Sequence, residues 1–62
     1  MNEKQLKIVT IIKKRFSGKM PINLDHDLVT DLILSDFRLS DEEENDLIKI
    51  MVNQNIIQIE AN

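Results

Sequence analysis

No cysteine occurs in this chain of 62 residues, so no disulfide can staple it and packed side chains alone must hold it folded. A chain that short removes only about 60% of its extended surface from water, too little to divide between two cores. One domain spanning residues 1–62 is therefore expected, with a stability of a few kcal/mol. Such a scaffold gains from a partner or from self-association, because whatever binds only the folded state draws the equilibrium toward it. A lone histidine, His26, without thiolates leaves no structural zinc site of the usual four-ligand kind.

Hydrophobic spacing divides the chain into three amphipathic helices, predicted at about 3–17, 25–34 and 40–54, and hence into an all-α three-helix bundle. In the first, Leu6, Ile8, Val9, Ile12 and Phe16 share a broad face opposite Lys7 and Lys14. Lys13, Lys14 and Arg15 fall in its last turn, where cations complement the negative end of the macrodipole, and Gly18 can supply the left-handed residue that ends it. Pro21 opposes an early restart, which makes 17–24 a loop.

Asp25 can cap the second helix, with Leu24 stapled against Val29, and Leu28, Val29, Leu32 and Ile33 are expected to share its buried face. Phe37 and Leu39 should point inward from the connection that follows. Ser40-Asp41-Glu42-Glu43 reads as a capping box opening the third helix, which should bury Leu47, Ile48, Ile50, Met51 and Val52. The tail Ile56-Ile57-Gln58-Ile59-Glu60 is β-branched and partly alternating, which suits an extended strand, but no second strand is evident to pair with it.

Charge is unevenly placed. Residues 1–19 carry Lys4, Lys7, Lys13, Lys14, Arg15 and Lys19 against Glu3, whereas the remainder carries Arg38 and Lys49 against ten acids. Two readings follow: the basic helix leans on acidic neighbours within the molecule, or the two patches meet an oppositely charged partner. No stretch approaches the roughly 18 apolar residues that cross a bilayer, and Met1-Asn2-Glu3-Lys4 lacks the apolar core of a signal peptide, so a cytosolic location is expected.

Little here points to catalysis. Asp25, Asp27 and Asp31 begin like a calcium loop, yet Thr30 stands where the sharp turn needs glycine and Asp36 replaces the bidentate glutamate. Gly18 is the only glycine, which leaves no phosphate loop, and three short helices offer little room for a cleft that would drive two carboxyl pKa values apart. The second and third helices could be drawn as a helix-turn-helix. Its recognition helix, however, would push Asp41, Glu42, Glu43 and Glu44 toward phosphates, which opposes nucleic-acid binding there.

The run from Ile22 to Phe37 resembles the segment before helix two of acyl carrier proteins, where the family typically shows Ile-x-Leu-Asp-x-x-Leu-x-x-Asp-Leu-Gly-x-Asp-Ser-Leu. Ile22, Leu24, Asp25, Leu28, Asp31 and Leu32 fit that pattern, and Asp46-Leu47-Ile48 through Ile57-Gln58-Ile59 resembles the end of the family's second helix and the Ile-x-Ile after it. Ile33 stands in place of the family's glycine, and the Asp-Ser that carries phosphopantetheine is inverted to Ser35-Asp36. The two blocks are separated by about five extra residues around Phe37 to Asp41, and the sequence stops short of the family's final helix. The resemblance implies a shortened carrier-like bundle, with Ser35 as the position for an arm and Ser40 behind it, and the inversion implies that the arm is lacking. It also implies that Asp36 and Asp41 to Glu44 form the acidic surface that partner enzymes read.

Three functions stay open at this point. The first is a non-catalytic protein-binding module of carrier-like arrangement. A small regulatory or inhibitory protein of phage or plasmid type, docking on a larger host protein, is the second. The third is a nucleic-acid binder using Lys13, Lys14 and Arg15 of the first helix, which lacks aromatic residues between its charges for base stacking.

Overall fold

The computed structural model describes residues 1–60. Their order is helix α1 (Glu3–Arg15), strand β1 (Ile22–Leu24), helix α2 (His26–Leu28) continuing into a π-helical stretch (Val29–Leu34), helix α3 (Asp41–Asn53) and strand β2 (Ile57–Ile59). The fold is small and mostly helical, but it is not all-α: β1 and β2 form a two-stranded parallel sheet. Part of the stretch expected to be a loop, Ile22–Leu24, is the missing partner of the C-terminal tail. Ile22 lies opposite Ile57, Asn23 opposite Gln58 and Leu24 opposite Ile59. Hydrogen bonds from Ile22 N to Ile56 O and from Glu60 N to Leu24 O, both 3.0 Å, close the two ends.

Parallel strands cannot be joined by a tight turn, so the chain between them must cross over, and here α2, the π stretch and α3 make that crossing. Side chains alternate along a strand, so Ile22, Leu24 and Ile57 turn toward the helices while Asn23 and Gln58 stay in water. Among the described residues eleven buried apolar side chains form one core: Ile8, Val9 and Ile12 from α1; Val29, Ile33 and Leu34; Leu47, Ile48 and Met51 from α3; Ile56 and Ile57 from the tail. Phe16, Phe37, Leu39 and Ile50 pack half-buried around it.

Each long helix is started by a reciprocal cap. Asn2 Oδ1 accepts from Gln5 N at 2.8 Å while Asn2 N donates to Gln5 Oε1 at 2.9 Å. Ser40 Oγ accepts from Glu43 N at 3.2 Å and Ser40 N donates to Glu43 Oε1 at 3.0 Å. Asp25 caps α2 by accepting from Leu28 N at 2.8 Å. α1 ends at Arg15, two residues before the expected 17, and Gly18 adopts a φ of 80° just past its end, with Lys19 N bonded to Phe16 O. That is the left-handed conformation glycine adopts without strain.

The second helix departs most from an α-helical reading. A π-helix bonds each amide to the carbonyl five residues back, so residues four and five apart share a face. Val29, Ile33 and Leu34 are accordingly buried, and Leu28 and Leu32, expected in the core, are 42% and 59% exposed. Leu6 and Val52 were likewise expected inside and are exposed.

α3 ends in a Schellman motif. Ile56 N donates to Met51 O at 2.9 Å, Asn55 N donates to Val52 O at 3.1 Å, and Asn55 takes a φ of 60°. Ile56 and Met51, both buried, make the apolar contact that accompanies such a cap, and the reversal aims the chain into β2. Asn55→Val places a β-branched side chain in the left-handed region and is expected to cost about 1 to 3 kcal/mol. Asn55→Gly should leave stability level or slightly raised. Thermal unfolding followed by circular dichroism checks both, at about 4 to 8 °C per kcal/mol for a domain of this size.

Candidate binding surface

The charged residues singled out from sequence fall into two places. Lys13, Lys14 and Arg15 occupy the exposed last turn of α1, and Asp41, Glu42, Glu43 and Glu44 occupy the first turn of α3, each set at the end of the helix dipole that favours it. The structure does not bring these two sets together. Instead α1 is tied at both ends to other partners: Arg15 Nη1 reaches Asp36 Oδ2 at 3.3 Å, and Lys4 Nζ reaches Glu43 Oε2 at 2.8 Å. The basic helix thus leans on acidic neighbours at two points, while Lys13 and Lys14 make no ion pair among the described residues.

Glu43 uses both carboxylate oxygens, one for Lys4 and one for the Ser40 amide, and these bonds hold its pKa below the ordinary carboxylate value. A depressed folded-state pKa contributes stability above the unfolded value and loses it as pH falls through the folded one. Glu43→Gln keeps the cap geometry and removes the charge. Its melting temperature should therefore lie below wild type at neutral pH and converge with it as the solution is acidified below the ordinary carboxylate range. A gap that persists unchanged in acid would contradict this origin.

Ser35 is exposed in the turn after the π stretch, and its neighbour Asp36 faces Arg15. Ser40 spends its hydroxyl on the cap of α3. His26 is exposed in α2. A cleft of about 160 Å³ opens between the N-terminal turns of α1 and α3, floored by Ile8, Leu39 and Leu47 and rimmed by Lys4, Glu42 and Glu43. Small-molecule sites occupy about 300 to 1,000 Å³, so this cleft is undersized for one. Among the described residues no group of three or more His, Asp or Glu side chains is placed to hold a metal ion, and no helix is long and apolar enough to cross a membrane.

What a charge-based reading of the sequence misses is a stripe on the outer side of α2 and the π stretch. Leu28 and Leu32, one turn apart and both exposed, run beside Asp27 and Asp31, also one turn apart and exposed. On α1 the outward face carries Lys7 and Lys14 between Leu6 and Ile11, which are 54% and 43% exposed. The i, i+4 spacing of Leu28 and Leu32 is visible in the sequence, but under an α-helical period it points to the core. The chain matches no protein-family model, no curated protein and no solved structure.

Proposed function

We propose that the protein is a non-catalytic, protein-binding helical module that resembles an acyl carrier protein and lacks a prosthetic arm. The observation that carries this reading is the exposed stripe of Leu28 and Leu32 flanked by Asp27 and Asp31. It lies within the stretch whose residues resemble the carrier family, Ile22 to Phe37. In so small a molecule, two large aliphatic side chains left in water one turn apart, with core positions on either side, suit a contact surface. The flanking carboxylates would select a basic partner and steer its approach.

Two measurements test the reading. A photo-crosslinking residue installed in living cells at position 32 is expected to give a discrete protein adduct, whereas the same residue at position 58, on the outer face of the sheet, should give none. Absence of any adduct at 32 would remove the binding surface. Incubation with a phosphopantetheinyl transferase and coenzyme A is expected to leave the mass unchanged, and an arm added at Ser35 would overturn the armless assignment.

A further inference from the structure

We infer that the partner fitted by the α2 stripe is a second copy of this chain, joined as a symmetric dimer in which α1 of each protomer lies against α2 and the π stretch of the other. This rests on reading the stripe as a binding surface. The outer face of α1 is its chemical complement: two aliphatic residues, Leu6 and Ile11, with Lys7 and Lys14 between them, against two aliphatic residues, Leu28 and Leu32, beside Asp27 and Asp31. None of these four charged side chains forms an ion pair within the described residues.

The ion pair between Arg15 and Asp36 ties the C-terminal end of α1 to the turn after the π stretch. Ile11 stands one helical turn before Arg15 and Leu32 four residues before Asp36, so the bridge links the two segments that carry these aliphatic side chains. A basic face and an acidic face on one chain are self-complementary, because a two-fold axis brings each onto the other and makes the same contact twice. α1 and the nine residues of α2 with the π stretch offer faces about 20 Å and about 13 Å long. At a helix width of about 10 Å those faces cover roughly 330 Å² per protomer, short of the about 800 Å² per partner of a standard interface, so the dimer is reversible and dissociates on dilution.

Sedimentation equilibrium is expected to show the mass rising from 7.2 kDa toward twice that value as protein increases from about 10 μM to about 1 mM at low salt, and falling back in about 0.5 M salt. Lys7→Glu with Lys14→Glu should abolish association, as should Asp27→Lys with Asp31→Lys, each variant keeping the wild-type circular dichroism spectrum. Mixed together, the two variants should associate, because both contacts of the mixed pair are again opposite in charge. A wild-type chain monomeric at the highest concentration, or a mixture that stays monomeric, overturns the dimer. If either charge variant fails to fold, Leu32→Ser replaces it, with loss of association expected and retention contradicting the assignment. A monomeric chain that still gives an adduct with a different protein from position 32 would sink the dimer and leave the binding surface standing, whereas no adduct at all would sink both.

Discussion

A chain ended after Asn55 is expected to lose cooperative unfolding altogether. The deletion removes Ile56 and Ile57, which are buried to 1% and 0% exposure, and it strips β1 of its partner, uncovering Ile22 and Leu24. Burial of two such side chains contributes about 3 to 6 kcal/mol. A domain of 62 residues has only about 3 to 9 kcal/mol in all. Far-UV circular dichroism during heating should show a shallow, featureless decline. A sigmoidal transition within a few degrees of the intact chain would mean that the tail is an appendage, and the parallel pairing would have to be abandoned.

Ile12→Ala is expected to have the next largest effect. Ile12 is completely buried on the inner face of α1, and truncating a buried isoleucine costs about 2 to 5 kcal/mol through lost transfer energy and the cavity left behind. The melting temperature should fall by at least about 10 °C. Leu32→Ala is the informative contrast. An α-helical pattern puts Leu32 in the core, where the same kind of truncation would be as damaging, but the π stretch leaves it 59% exposed and the expected cost is within about 0.5 kcal/mol. Equal losses at positions 12 and 32, in the same denaturant titration, would refute the π-helical assignment.

That contrast marks the boundary of what the residues alone reveal. Ser40 with Glu43, Asp25 before Leu28 and Gly18 after α1 are local devices, each completed within four residues, and their chemistry is visible in order along the chain. Asn2 with Gln5 is a device of the same kind that could have been found by the same rule. The pairing of Ile22–Leu24 with Ile57–Ile59 is different. Three residues of strand carry too weak a period to announce themselves, and nothing near Ile22 encodes that its partner is Ile57, beyond two intervening helical segments. The widened turn of Val29–Leu34 is hidden for a related reason, since Leu28, Val29, Leu32 and Ile33 satisfy an α-helical stripe as well as Val29, Ile33 and Leu34 satisfy a π one. The exposed stripe of Leu28 and Leu32 is therefore legible only once the core has chosen between those two registers.

The parallel strand pair also sets the order of events during synthesis. At about 5 to 20 residues per second, the ribosome needs roughly 2 to 7 seconds after adding Ile22 to deliver Ile57. During that interval α1 can coil and α3 is added, but β2 is not yet there to complete the core. The nascent chain therefore completes the core around Ile8, Val9 and Ile12 only once Ile57 has been made.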